Sequence, residues 1–355
     1  MVTGDRVALV LFNLGGPDSL DAVQPFLFNL FNDPAIIRLP GPLRRPLATL
    51  ISRRRAPVAR GIYQEIGGGS PLLPQTLDQA AALERRLKRR GLDARVFVSM
   101  RYWHPRSDAV AAEVAQFAPA RVVLLPLYPQ YSTTTTASSL ADWRRAAVAA
   151  GLRVPEVAVC CYPTQPGFVA AVARRLRNEL ERADFPTGFR ILFSAHGLPE
   201  RIVAGGDPYQ WQVERTCAAV LEAVDGEEMD HVICYQSRVG PLKWIGPSTL
   251  EALETAAADG VAAVVVPVAF VSEHSETLVE LDIDYRRRAV EFGVPGYVRV
   301  PTVGTAEEFI SGLADVVEEV LPNDGIVCLE GARRCPASFG RCPCRSAGDG
   351  QTPAN

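Results

Sequence analysis

Ala262-Ala-Val-Val-Val-Pro-Val-Ala-Phe270 runs directly into Val271-Ser-Glu-His-Ser-Glu-Thr-Leu-Val-Glu-Leu-Asp-Ile-Asp284. The first stretch is a continuous apolar, valine-rich run, the signature of a strand buried on both faces in a parallel sheet. The second changes period. Glu276, Glu280 and Asp284 recur every four residues, which on a helix lines three carboxylates along one face. A buried strand feeding a helix is half of a βαβ unit, and the helix begins at the strand's carboxyl end, where open α/β sheets bind ligands. Stacked like charges repel, so a structural helix gains nothing from them. A face that attracts a cation or passes protons does. The plainer reading is a solvated acidic face.

The same rhythm extends outward along the chain. Strands are expected at Val7–Phe12, Ala94–Met100, Arg121–Pro126, Glu156–Cys160, Phe189–Ser194, His231–Tyr235 and Ala262–Phe270. Helices are expected at Thr76–Arg90, Asp108–Phe117, Ser138–Ala150, Gly167–Ala183, Tyr209–Val224, Pro247–Asp259 and Thr305–Leu321. The pattern occurs twice, once before Tyr162 and once between Phe189 and Pro301, so the fold class is α/β with parallel sheets flanked by helices. The strands end in polar, Gly- or Pro-bearing loops. Two such units facing each other make a cleft lined by those loops. The apolar, aromatic stretch Pro25–Pro40 breaks the rhythm, and Arg44, Arg45, Arg53, Arg54 and Arg55 follow it. It reads as a buried helix with a basic face, or as a lip facing a membrane or a large apolar ligand.

Composition bounds the alternatives. The chain has 355 residues, 48% apolar and 22% charged, with net charge −3. A nucleic-acid binder is normally basic, so that class is not expected. No apolar run approaches bilayer length and no secretion signal opens the chain, so a cytoplasmic location is the expectation. Eight cysteines fit poorly with disulfides in a reducing compartment. Cys328, Cys335, Cys342 and Cys344 crowd the tail, and clustered cysteine there reads first as metal ligation. Zinc favours Cys-x2-Cys pairs, which the tail lacks; Cys-x-Cys with distant partners also suits an iron–sulfur cluster.

His196 closes a strand-like run inside Ser194-Ala-His-Gly-Leu-Pro199. With an ordinary pKa near ~6.5 it is mostly neutral at pH 7 and able to accept a proton, unless it is only a hydrogen-bonded core histidine. Gly67-Gly-Gly-Ser-Pro71 lacks the Lys-Ser/Thr ending of a phosphate loop and reads as a tight loop against a ligand or a neighbouring backbone. Arg101-Tyr102-Trp103, Tyr128–Thr136 and Tyr235–Trp244 bring aromatics and arginines to strand ends. Together they suit a flat apolar ligand carrying carboxylates.

These motifs together resemble the ferrochelatases, which insert ferrous iron into a porphyrin. The matching stretches are Leu11–Pro17, Tyr63–Pro71, Pro129–Ser132, Ser194–Pro199, Tyr235–Pro241 and Phe270–Tyr285. The resemblance implies two similar Rossmann-like domains around a cleft: residues 1–165 with the lip at 25–40, a connecting helix at 166–187, a second domain at 188–304, a C-terminal helix at 305–321 and a Cys-rich tail at 322–355. It implies His196 as the base for pyrrole protons, Glu276 facing it across the porphyrin and His274 nearby, with His196 and Glu276 meeting the Fe²⁺ substrate. Glu280 and Asp284 would continue an acidic path. Leu14, Arg101, Tyr102, Tyr131, Ser132 and Trp244 would meet the porphyrin, and the lip a membrane surface such as the inner membrane. The tail resembles that of relatives holding a [2Fe-2S] cluster, with Cys161, Cys335, Cys342 and Cys344 as ligands and Cys160 or Cys328 as alternatives. The expected state is monomer or homodimer. A coproporphyrin III ferrochelatase, a cobalt or nickel chelatase and a non-catalytic haem-binding protein are the rival readings.

Overall fold

The computed structural model describes residues 6–238, 240, 242–329 and 333–344. The expected tail beyond residue 344, and Val239 and Pro241 of the loop after Tyr235, lie outside the described residues. Nine strands are described: β1 Val7–Asn13, β2 Ala94–Met100, β3 Arg121–Pro126, β4 Glu156–Val159, β5 Phe189–His196, β6 His231–Gln236, β7 Ala262–Pro267, β8 Tyr297–Arg299 and β9 Gly325–Val327. They form two sheets, β2-β1-β3-β4-β9 and β6-β5-β7-β8, in which every described pair is parallel. Within its own set, each sheet places its strands in the order second, first, third, fourth. The repeated rhythm is therefore a repeated topology. β1 and β7 are buried along their whole length, as expected of strands covered by helices on both faces.

Helix Glu307–Val320 follows the second sheet in sequence but packs on helices Pro166–Arg182 and Leu72–Arg89. The crossing is close enough that a Cβ on Gly167 would sit 2.9 Å from Gly312 Cα, so glycine is required there. One continuous apolar core consequently reaches both sheets. The Gly67–Pro71 loop approaches a neighbouring backbone: a Cβ on Gly69 would lie 2.7 Å from the Asp18 carbonyl oxygen.

Several boundaries differ from expectation for physical reasons. β7 stops at Pro267, which has no N–H for the ladder, and not at Phe270. Val268 N still reaches Ser194 O at 3.1 Å. This frees residues 268–275 as a loop. β4 stops one residue short of Cys160, whose N–H nevertheless bonds Val327 O at 2.8 Å. β9 lies in the stretch expected to be a Cys-rich tail and adds a strand to the edge of the first sheet. Glu276–Tyr285 is a π-helix, continued by the α-helix Arg286–Phe292, and not the α-helix its four-residue period suggests. Helix Gly41–Gln64 runs through Pro46 and Pro57, against the usual cost of internal proline.

Candidate active site

Strand order locates the expected ligand site. In the second sheet β5 lies between β6 and β7, so successive crossovers leave in opposite directions and the sheet reverses beside β5, the place where such sheets bind ligands. His196 is the last residue of β5, Ser237 directly follows β6, and the π-helix follows β7. His196 Nδ1 lies 2.8 Å from Glu276 Oε2, and the His196 side chain keeps 40% of its surface open. Ser237 Oγ donates to Glu276 Oε2 at 3.1 Å and to Glu280 Oε2 at 2.5 Å. Glu280 also accepts from Ser237 N, Gln236 Nε2 and Tyr285 OH at 2.8, 3.1 and 2.8 Å. Ser237 holds φ +61°, a left-handed conformation costly for a non-glycine residue and characteristic of functional turns.

The electrostatics follow from this geometry. Burial lowers the His196 pKa, but the charge and hydrogen bond of Glu276, with a further push from Glu280, leave it above the free value. The ring therefore carries more proton at pH 7 than a free imidazole would. For Glu276, burial works upward, yet the charges of His196 and His274 and hydrogen bonds from His196 and Ser237 bring it down to about 2. Burial and the Glu276 charge push Glu280 up. His274 is pushed down, chiefly by burial. It packs edge-on against Phe270, and its Nδ1 is buried without a partner.

The remaining acids divide. Asp284 pairs with Arg287 at 3.2 Å on the exposed side, outside the Glu276–Ser237–Glu280 contact. Glu273 and Asp282 flank the buried Arg299 at 2.7 and 2.5 Å. The loop before the π-helix is held from helix Leu72–Arg89: Gln79 Nε2 donates to Val271 O and Gly304 O, Ser272 Oγ donates to Gln79 Oε1, and Glu273 N donates to Gln75 Oε1.

The expected porphyrin contacts fall in different places. Trp244 bridges to Pro199, and a methyl added at Gly197 would touch its ring at 3.4 Å, so it lies beside His196. Leu14 packs on the lip cluster around Phe26 and Tyr102. Tyr102 is 1% exposed. Its hydroxyl and the Arg101 guanidinium both bond Asp33 Oδ2 at 2.8 Å, and Ser138 joins the same oxygen. Asp33 thus ties the base of the lip to the end of β2. Nothing in its sequence context distinguished it. Tyr131 is buried against the cysteines, and Ser132 bonds Asp207 at 3.0 Å.

Six cysteines converge. Cys160, Cys161, Cys335, Cys342 and Cys344 are buried together with Cys328 beside them. The sulfurs of Cys160, Cys328, Cys342 and Cys344 all lie within 4.8 Å of one another. Cys328 and Cys344 are joined as a disulfide, against the expectation that these cysteines fit poorly with disulfides. Cys161 and Cys335 share Gln212 Nε2, at 3.2 and 3.1 Å. Thiol hydrogen bonds from Cys160 and Cys335 draw Cys342 well down, while those two thiols are raised. Six converging cysteine sulfurs, two of them accepting N–H donors from one buried side-chain amide, are a donor set suited to an iron–sulfur cluster.

A family model described as Ferrochelatase matches residues 6–321. The ferrochelatase of Phenylobacterium zucineum is 53% identical over 345 residues, 97% of this chain and 99% of that protein. That of Caulobacter vibrioides strain NA1000 is 52% identical over 343 residues, 96% and 98% of the two chains. Among solved structures, SirB from Bacillus subtilis with Fe3+ superposes with a TM-score of 0.50 at 12% identity, covering 89% of this chain and 95% of that one. The last likeness concerns the fold alone.

Proposed function

The chain belongs to the ferrochelatase family of metal-chelating lyases, and on that premise we propose that it inserts Fe²⁺ into protoporphyrin IX in the cleft beside β5, with His196 as the proton acceptor. One observation carries the residue assignment: the half-open His196 ring holds a 2.8 Å hydrogen bond to Glu276 through Nδ1. That bond fixes the tautomer. Nδ1–H points at the carboxylate, and Nε2 is left as the accepting atom. Two pyrrole protons must leave for the metal to enter. His196 Nε2 takes a proton from the macrocycle, and the resulting imidazolium is stabilised by a carboxylate that stays ionised down to about pH 2. Glu280, one serine hydroxyl away, is the next carboxylate on the path, and Asp284 is its outer end. His196 Nε2 has one lone pair, so it and Glu276 would be donors for the incoming Fe²⁺ only while the ring is neutral, before it takes the proton; imidazole and carboxylate hold the ion weakly enough to release it. Gripping and bending the flat ring favours the metal-accepting shape.

The lip supports protoporphyrin, the more apolar substrate, over coproporphyrin III. Leu39, Leu43 and Leu50 are exposed there, beside Arg44, Arg45 and Arg53–Arg55, a pairing that suits peripheral contact with an anionic membrane surface. No helix among the described residues is long and apolar enough to cross a membrane. For the cysteine centre we propose a [2Fe-2S] cluster held by Cys161, Cys335, Cys342 and Cys344. The closest grouping substitutes Cys160 and Cys328 for the first two and retains Cys342 and Cys344. Cys344 could serve as a ligand only after an external thiol reductant had supplied two electrons to the Cys328–Cys344 bond, releasing both sulfurs as thiols and itself becoming a disulfide. A bound cluster would supply a one-electron centre and a covalent tie between the tail and the end of β4.

The test is anaerobic metalation of protoporphyrin IX and coproporphyrin III, followed by absorbance, with Fe²⁺, Co²⁺ and Ni²⁺ in competition. Faster iron insertion into protoporphyrin is expected. Preference for cobalt or nickel would reassign the metal, and tight haem binding without turnover would make the protein a haem binder.

A further inference from the structure

We propose that Gln212 tunes the cysteine centre: its side-chain amide donates one N–H to Cys161 Sγ and the other to Cys335 Sγ, which raises the reduction potential of the cluster those sulfurs hold. The proposal rests on the cluster reading above. Gln212 is completely buried on helix Tyr209–Ala223. Its Oε1 accepts the Tyr131 N–H at 2.7 Å. That bond fixes which end of the amide faces the sulfurs, so Nε2 must present both hydrogens toward them, at 3.2 and 3.1 Å. Neutral thiols are weak acceptors, and a buried amide that gives them both donors is poorly satisfied. Thiolates are strong acceptors. The arrangement is therefore well satisfied only when Cys161 and Cys335 carry negative charge, as cluster ligands do.

Hydrogen bonds to ligand sulfurs are among the determinants of iron–sulfur potentials. The electron added on reduction increases negative charge on the cluster and its ligand sulfurs. Fixed N–H dipoles stabilise that form more than the oxidised one. Removing them makes the cluster harder to reduce. Gln212 acts through the sulfurs and touches neither porphyrin nor iron substrate, so it is a positioning residue, and its signature is a potential.

The experiment is a dye-mediated potentiometric titration of anaerobically purified, cluster-loaded protein, read by visible absorbance and by EPR of the reduced state. Gln212→Met keeps the side-chain length and loses both donors. Its midpoint is expected below that of the unsubstituted protein. Gln212→Glu puts a carboxylate beside the sulfurs and is expected to go lower still. An intact cluster with an unchanged midpoint in Gln212→Met overturns the proposal. A second measurement needs no variant: protein labelled with side-chain 15N-glutamine should show 15N coupling to the reduced cluster in pulsed EPR, and its absence overturns the proposal equally. If the unsubstituted protein binds neither iron nor sulfide, the cluster reading fails and this role with it. A loaded cluster with no shift removes the role of Gln212 alone.

Discussion

At His196, burial and charge pull in opposite directions, and the neighbouring carboxylates win. The consequence for catalysis is a pH dependence. Proton acceptance needs the neutral ring, so the metalation rate should rise with pH through a His196 pKa above the free value. Glu276→Gln removes the charge that raises it. The acidic limb of the pH–rate profile should then move to lower pH, with a lower maximal rate because the imidazolium loses its partner. A limb that stays in place would separate His196 from the observed titration. The same pair sets a stability window. Glu276 is brought from an ordinary value of 4.5 to about 2, so its contribution is full above about 4.5 and is lost as pH falls toward 2. His196 is raised, so its contribution is full below the free value of 6.5 and is lost as pH climbs through the folded value. Both describe one contact, and Glu276→Gln should differ most from the unsubstituted protein in chemical denaturation between about pH 4.5 and 6.5. His196→Ala should lower the metalation rate by about 10²–10⁴-fold while leaving porphyrin binding intact by fluorescence quenching; normal turnover would end its assignment as the base. His196 and Glu276 stood out as candidates because a histidine at a buried strand's end and carboxylates just past another are uncommon; the resemblance set them on opposite sides of the porphyrin, whereas their 2.8 Å contact joins the two side chains directly. Ser237 and Asp33 were not, since an isolated serine or aspartate in a loop is ordinary and only the fold shows what it joins.

The π-helix sorts what the sequence displayed as one acidic row. A four-residue period suggested a single face, but bonding i to i+5 changes the angle per residue. Glu276 and Glu280 turn to Ser237, Asp282 turns to Arg299 and Asp284 to Arg287. Nothing in residues 276–285 announces this geometry; their period and composition fit an α-helix, and the packing around them decides. Arg299 secures the element from below, with only 9% of its side chain open, bonded to Glu273 ahead of the π-helix and to Asp282 within it. Arg299→Met leaves two carboxylates without their cation. A cost of about 3 kcal/mol is expected, the lower end for a broken buried pair, because Asp282 retains partial access to water. It should be visible as a lower denaturation midpoint with an unchanged slope. Because Glu273 anchors the loop that carries His274, the rate should fall as well, and unaltered stability would show that the triad is not holding the element. The short strands β8 and β9, three residues each, offered no periodic run to detect.

The two sheets share one strand order and one core, and this part of the architecture was readable as a repeated alternation of apolar runs and helices. The sequence held no sign that helix Glu307–Val320 packs back on helix Leu72–Arg89 or that β9 completes the first sheet, because both depend on chain reversal and not on local pattern. Among the described residues of the tail beyond β9, Phe339 meets Trp211, Arg334 donates to Thr164 Oγ1 at 3.1 Å, Arg341 N donates to Gly206 O at 3.0 Å, and the cysteines supply the remaining contacts named above. β9 itself contributes three register pairs with β4, and Cys160, at the end of β4, bonds Val327. The cysteine centre therefore joins β4, β9, helix Tyr209–Ala223 and the tail at one point. Local stability follows such contacts and opens in cooperative pieces. Cys342→Ser, which removes a sulfur common to both possible ligand sets, should bleach any cluster colour. In hydrogen exchange it should deprotect β9 and residues 160–162 while β5–β7 stay protected, because the second sheet takes none of its pairing from the tail. If deprotection instead spreads evenly over both sheets, the centre acts as a global clamp and not as a local one. If it appears nowhere, the strand pairing alone holds the tail, and the convergence of the cysteines adds nothing to the stability of the fold.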